Sequence, residues 1–460
     1  MIAELTSFAA RLRERISSGS SRREEARSEA DFKWNLLTSA ATDQEFNSLA
    51  LELFALQFAN NAAYRRLCEA RGAKPASVEH WSRIPAVPTV AFKELELTCL
   101  PPAERTAVFH SSGTTEQRLS RHFHSAESLS LYEASLWAWF QQHVLPSPGL
   151  KATLSPSDGE RAGVRGCREQ ASSDLHLAIL TPPPTAAPNS SLVHMCGVIQ
   201  RESSSRRGDE ADRPELALAS ASSRRRLQTD ESAFLGGTDA TGAWTLDFER
   251  AKETIQAAIT TSVPLVLLGT AFNFVHLLDW LAERDLRFEL PPGSVVMETG
   301  GYKGRSRELL KAELHALITR RLGVPLSQIV CEYGMSELSS QAYDGMAGVE
   351  TRNPKLETRN FSFPPWARVQ IISPETGREV ADGETGLVRI FDLANVFSVL
   401  AVQTEDLAIR RGDGFELLGR AAAAEPRGCS LMSPLVVPPL GSPFAAPPEG
   451  GTTNPVPLKS

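Results

Sequence analysis

Phe109-His110-Ser111-Ser112-Gly113-Thr114-Thr115-Glu116-Gln117-Arg118 sets four hydroxyl side chains around a single glycine. Backbone N–H groups at such a bend, with O–H donors beside them, converge on an anion, and phosphate oxygens suit them best. The spacing is not that of the G-x-x-x-x-G-K-[ST] loop, because Gly113 has no second glycine five residues on that leads into a lysine. A Ser/Thr-rich turn with no ligand is the alternative reading of these letters alone.

Outward from this loop, Phe109 ends a strand, and Leu129, Leu131, Ala134, Leu136, Trp139 and Phe140 recur at helical spacing after Ser125. The loop is therefore expected between a strand and a helix, where helix N-terminal donors favour phosphate. Upstream, Pro85 and Pro88 force extended backbone through Ile84–Val90. Phe46 to Ala70 reads as one long helix, and Ala3 to Ile16 as an amphipathic helix instead of a secretory leader. Downstream, residues 147–172 and 201–230 are rich in Ser, Gly, Pro and Arg, and read as solvated insertions. Between them Leu177 to Leu180 is a strand leading into a proline-rich loop.

The 460 residues, 42% apolar and 22% charged, suffice for a large core and more than one structural unit. A net charge of −7 argues against a nucleic-acid surface, which needs clustered cations. The six cysteines form no C-x-x-C pair, so neither a disulfide framework nor a zinc site is indicated, and a reducing cytoplasm is the expected compartment. The most membrane-like run, Val263 to Leu281, is interrupted by Pro264, Asn273, His276 and Asp279; it reads as a buried strand turning into a buried helix, not as a membrane span.

From Trp244 helical and strand patterns alternate: 248–259, 264–268, 274–284, 294–298, 307–322 and 329–333. That alternation predicts an α/β fold with a mainly parallel sheet and helices on its faces. The turn Thr299-Gly300-Gly301 permits close approach of a flat ligand such as a base, or tight helix packing. In Ile329-Val330-Cys331-Glu332-Tyr333-Gly334-Met335-Ser336-Glu337-Leu338, the strand ends at Tyr333, so Tyr333, Ser336 and Glu337 fall at a strand's carboxyl end, where open α/β sheets put ligands. An aromatic ring, a hydroxyl and a carboxylate there suit a purine, a phosphate and a hard cation such as Mg²⁺.

Taken in order, Ser111–Thr115, Gly300-Gly301, Tyr333-Gly334-Met335-Ser336-Glu337, Thr404-Glu405-Asp406 and Gly419-Arg420 resemble the adenylate-forming superfamily of acyl and aryl ligases. Within it the chain resembles the acyl-protein synthetases, the long-chain-fatty-acid–protein ligases that feed bacterial luciferase. Pieces carrying that likeness include Ile84-Pro-Ala-Val-Pro88, Pro188-Asn-Ser-Ser191, Gly269-Thr-Ala-Phe272 and Gly428-Cys429-Ser430. The resemblance implies the large N-terminal domain of that superfamily, layered mixed sheets with helices on both faces plus a small β subdomain. Its expected divisions are a helical extension over 1–44, the core over 45–345, a β-rich unit over 346–432 and a proline-rich tail over 433–460.

It also implies roles. Ser111, Ser112, Gly113, Thr114 and Thr115 would hold the β- and γ-phosphates of ATP, with Thr114 among the catalytic groups. Gly300 and Gly301 would line the adenine slot, with Tyr333 stacked on the ring and Gly334 in the same segment. Ser336 would bond the α-phosphate, Glu337 would hold Mg²⁺, Asp406 would accept the ribose hydroxyls just after a strand-like run Val396–Val402, and Arg420 would lie nearby. Cys429 would receive the acyl group as a thioester for an acyl reductase partner, and Arg427 beside it favours the thiolate. His110, His122 and His276 are expected to be structural.

Two departures stand out. The superfamily's mobile lid of roughly 100 residues, with its lysine, finds no counterpart in the 40 residues after Arg420, so the usual lid domain is expected to be lacking. Glu116 also stands where many relatives have glycine. A lidless acyl-CoA ligase and a non-catalytic nucleotide-binding subunit of a reductase complex remain the competing readings.

Overall fold

The computed structural model describes residues 2–25, 40–111, 118–145, 174–211, 226–228, 233–300, 309–349 and 359–421. At the N-terminus a helix runs over Ile2–Glu25 and buries Leu5, Phe8, Ala9, Leu12 and Ile16 along one face, the i, i+3, i+4 stripe of an amphipathic helix. The expected long helix over 46–70 is two, Ala40–Asn60 and Ala62–Ala70. Asn61 divides them because its side chain accepts from the Tyr64 N–H and caps the second helix.

β1 (Val87–Pro88) is short, and β2 (Ala107–His110) pairs antiparallel with β3 (Arg121–His124). The hydroxyl-rich loop thus connects two strands of a hairpin instead of a strand and a helix. Ser120-Arg-His-Phe-His124 alternates toward and away from the core and pairs before the Ala126–Val144 helix begins at its Ser125 cap.

The central sheet contains β4 (Asp174–Ile179), β5 (Arg226–Gln228), β8 (Leu265–Thr270), β9 (Val295–Thr299), β10 (Ile329–Tyr333) and β11 (Ala342–Tyr343), in the order β11-β10-β9-β8-β4-β5. All its pairings are parallel except that of β10 with β11. A small hairpin, β6 (Gly236–Thr238) with β7 (Trp244–Leu246), precedes β8. The segment from Arg201 is not a loop throughout: a helix continues from Ser191 to Ala211, and Arg226–Gln228 pairs with β4.

Alternate residues of the parallel strands enter different layers. Leu177, Ile179, Val266, Leu268, Val295, Met297 and Val330 pack with the Ala126–Val144 and Ser191–Ala211 helices. Ala178, Leu265, Leu267, Val296 and Ile329 pack with the Phe248–Thr261, Ala271–Glu283 and Lys311–Leu322 helices. Strands covered on both faces read as continuous apolar runs, which is why β8 to β10 were visible in the sequence. The helix after β8 starts at a capping box in which Thr270 and Asn273 exchange hydrogen bonds.

A second sheet has the order β1-β14-β13-β12, with β15 also pairing β14, farther along the edge that β1 uses: β12 (Ala367–Ile372), β13 (Thr385–Asp392), β14 (Ala401–Arg411) and β15 (Gly414–Arg420). It shares a core with the N-terminal helices. The expected strand over Val396–Val402 begins only at Ala401. Residues 393–400 are instead a buried connection held by Gln57, whose Nε2 donates to the Asn395 and Val396 carbonyls and whose Oε1 accepts from the Leu400 N–H. Buried backbone groups need such partners when no ladder supplies them.

Among the described residues no helix is long and apolar enough to cross a membrane. The run Val263–Leu281 is β8 followed by the Ala271–Glu283 helix, as its interruptions indicated. Residues 422–460, which include the proline-rich tail and the region bearing on a lid, lie outside the described residues.

Candidate functional site

β9 and β10 are neighbours in parallel register, with Glu332 opposite Thr299, so Thr299-Gly300 and Tyr333–Glu337 leave the sheet side by side at its carboxyl edge. Tyr333 is buried among Phe361, Phe363 and Phe415, each meeting its ring nearly edge-on at 5.4–6.2 Å. Its hydroxyl donates to Asp406 Oδ2 at 2.8 Å. That bond spans 73 residues and joins the central sheet to β14, so two residues singled out separately in the sequence meet directly. Asp406 stands opposite Arg420 across β14 and β15, with Arg420 Nε 4.0 Å from Asp406 Oδ1 and Nη2 donating to Glu405 Oε2 at 2.8 Å.

Ser336 and Glu337 are buried, and Ser336 Oγ donates to Glu337 Oε2 at 3.1 Å. Their backbone is held from two sides. His122 Nδ1, on β3, lies 2.6 Å from the Ser336 carbonyl, which makes Nδ1 the protonated nitrogen of a neutral ring. Burial pushes His122 below the ordinary histidine range, and His124 well below it, so neither carries charge at neutral pH. From the second sheet, Asn395 Nδ2 donates to the Glu337 carbonyl at 3.0 Å and Asp392 Oδ2 accepts from the Ser339 N–H at 2.8 Å. Asp392 Oδ1 also accepts from Ser340 Oγ and the Ala394 N–H; burial nonetheless lifts this carboxyl up to about 6.

The hairpin that carries the hydroxyl loop therefore touches the Ser336–Glu337 turn through His122. Ser111 is at the hairpin's base, where its Oγ accepts from the Ser120 N–H and its N–H donates to Ser120 Oγ. Its hydroxyl proton is left available for an anion. Ser112, Gly113, Thr114, Thr115, Gly301 and Cys429 lie outside the described residues; Gly300, next to β9, lies within them. His122, Asn395 and Asp392 escaped the sequence reading as site residues. A signal for the last two was present, because polar residues inside the apolar run Ile390–Leu400 must find buried partners.

Beside the turn lies a small cleft, with room for about one water-sized group, walled by Tyr132, Leu192, Met195, Thr299, Glu332 and Gln341 among others. Gly334 also borders the cleft, and a Cβ there would sit 2.3 Å from Glu332 Oε1. Gly334→Ala is therefore expected to push Glu332 off its Thr299 partner and cost about 1–3 kcal/mol. Urea unfolding checks it, and a change below about 0.5 kcal/mol would mean the carboxylate moves without resistance.

Residues 223–434 match the family described as acyl-protein synthetase, LuxE. Over that stretch, a little under half of its length, the chain is similar to the acyl-protein synthetases. A relative in Aliivibrio fischeri, the long-chain-fatty-acid–luciferin-component ligase, is 24% identical over 204 residues. That match covers 42% of this chain and 51% of the relative, so this synthetase-like region spans about half of the curated protein's length. In three dimensions the chain is similar to 2-hydroxyisobutyryl-CoA ligase in complex with 2-HIB-AMP and CoA, with a TM-score of 0.53, 15% identity, and 86% of this chain and 73% of that one covered. The same ligase in its postadenylation state gives a TM-score of 0.52 at 14% identity, covering 86% and 72%. The fold is thus that of the adenylate-forming ligases, α/β with helices on both faces of the central sheet. The matched stretch contains β8 to β15, and with them Tyr333, Glu337, Asp406 and Arg420.

Proposed function

We propose that this chain is a cytoplasmic acid–thiol ligase that activates a fatty acid with ATP as an acyl-adenylate, then passes the acyl group to a protein thiol, Cys429, for delivery to an acyl reductase. The observation that carries this reading is the junction of Tyr333 with Asp406 beside the buried Ser336–Glu337 turn, within the stretch similar to the acyl-protein synthetases.

In the first step a carboxylate oxygen of the acid attacks the α-phosphorus in line; the new P–O bond forms as the bond to pyrophosphate breaks. A carboxylate is already ionised at neutral pH, so no general base is needed and catalysis rests on positioning and charge neutralisation. Ser111, Ser112, Gly113, Thr114 and Thr115 hold the β- and γ-phosphates in this reading. Gly300, Gly301, Tyr333 and Gly334 form the adenine side, Asp406 and Arg420 the ribose side, and Ser336 bonds the α-phosphate.

Glu337 is the residue suited to hold Mg²⁺. Among the described residues no cluster of three metal-ligating side chains exists, yet Mg²⁺ ordinarily takes one or two carboxylates together with substrate phosphates, so a single carboxylate fits. Bound there, the ion would neutralise phosphate charge. The neutral ring of His122 keeps the Ser336 carbonyl in place without adding a competing charge.

In the second step a thiolate attacks the carbonyl carbon of the mixed anhydride, forming a C–S bond as AMP leaves with the bridging oxygen. Cys331 is not suited to this, since it is buried and burial raises its thiol well above the ordinary value.

Incubation with ATP, Mg²⁺ and a labelled fatty acid tests the proposal. The expected result is pyrophosphate release and a hydroxylamine-labile label on the protein, with the label lost in Cys429→Ser while the first turnover of pyrophosphate release persists. Label appearing only on added coenzyme A would make the chain an acyl-CoA ligase, and absence of pyrophosphate release would leave a nucleotide-binding subunit.

A further inference from the structure

The cleft beside the Ser336–Glu337 turn has a polar floor. Glu332 is 5% exposed there, and its Oε2 is held by the Thr299 hydroxyl. Its Oε1 occupies the space that a side chain at position 334 would need, and has no hydrogen-bond partner among the described residues. Close by, Gln341 is 6% exposed; its Nε2 donates to the Tyr132 hydroxyl at 3.4 Å, and its Oε1 is buried without a partner among the described residues. Leu192, Met195 and Met335 supply the apolar part of the wall.

An alkyl chain lying on this floor would strip water from Glu332 Oε1 and return nothing, which is the condition under which sites reject a substrate that lacks a polar group. A hydroxyl resolves it, because one O–H both donates and accepts. It pairs with Glu332 in either ionisation state, which matters because burial pushes that carboxyl up to about 7.

Resting on the ligase reading above, we propose that Glu332 selects a fatty acid bearing a hydroxyl near its carboxyl end over the unsubstituted acid. The hydroxyl belongs near the carboxyl end because Gly334 and Met335 line the same cleft and lead directly into Ser336, where the reacting carboxylate must lie.

The test is acid-dependent pyrophosphate release by the full chain with decanoate and 3-hydroxydecanoate. The native chain is expected to favour the hydroxy acid in kcat/KM by about tenfold or more. Glu332→Leu should reverse the preference, while Glu332→Gln, an isosteric change that keeps a hydrogen-bonding group, should retain most of it and guards against misfolding as the cause. A native preference for decanoate, or an unchanged ratio in Glu332→Leu, overturns the assignment. If neither acid drives pyrophosphate release, it is the ligase reading that fails. Calorimetric titration of the two acids into the native chain then decides Glu332 separately: tighter binding of the hydroxy acid supports it, and equal binding overturns it.

Discussion

Glu337→Gln is expected to lower acid-dependent pyrophosphate release by about 100-fold or more at saturating ATP, through loss of a charged ligand at the reacting phosphates. The substitution keeps the side chain's shape. It leaves the Glu337 carbonyl free to accept from Asn395 Nδ2, and Ser336 Oγ retains an acceptor in the carboxamide oxygen. Stability should therefore change little, and the effect should be relieved in part by raising Mg²⁺. A reduction of less than about threefold, with an unchanged Mg²⁺ dependence, would remove Glu337 from the metal role.

Lys311→Met is expected to lower stability by about 3–5 kcal/mol, the usual cost of leaving a buried carboxylate without its counter-ion. Asp344 is fully buried, and its Oδ2 pairs with Lys311 Nζ while Oδ1 accepts from the Cys331 N–H at 2.7 Å. Burial acts against both charges, but their mutual attraction prevails, holding Asp344 below the usual carboxylate range and Lys311 above the usual ammonium range. A depressed folded-state value means that the Asp344 contribution is present above the unfolded pKa of about 3.9 and is lost as pH falls through the folded one. Urea unfolding at neutral and acidic pH checks both statements: Lys311→Met should flatten the acid limb, and Lys311→Met with Asp344→Asn should recover part of the loss. A single-variant loss below about 1 kcal/mol would show that water reaches the site and screens the pair. Because Cys331 precedes Glu332 and Tyr333 on β10, this pair also anchors the strand that carries the cleft and the Asp406 contact.

Much of the central sheet was legible because its signals are local. Leu265-Val-Leu-Leu268 and Ile329-Val-Cys331 are short apolar runs bounded by polar residues or turns, and a strand covered by helices on both sides has no other way to be written. The hairpin was misjudged for the converse reason. β3 contains two histidines and an arginine in four residues, and its identity as a strand comes from pairing with β2, a contact the letters 121–124 do not encode alone. Likewise Val396–Leu400 has β-strand composition but is a loop, because Gln57, more than 300 residues earlier, satisfies its backbone.

The candidate site divides in the same way. Residue types suited to the chemistry, Ser336, Glu337, Tyr333 and Asp406, could be named from hydrogen-bonding capacity and position after a strand. Their supports, His122, Asn395 and Asp392, could not. Each acts through a contact spanning between 50 and 220 residues of chain, and each residue type has an ordinary structural use that is far more common.

By itself, then, the sequence determined the α/β class, the order of the parallel strands' apolar cores and the short segments carrying clustered hydroxyl, aromatic and carboxylate side chains, all of which depend on neighbours within a few residues. Only the tertiary structure decided that Tyr333 meets Asp406, that His122 and Asn395 grip one turn from opposite sheets, and that Glu332 floors a cleft. Those are encounters between elements remote in the chain, set by how whole layers bury their apolar faces against one another, and no local pattern specifies where two such layers bring their polar edges together.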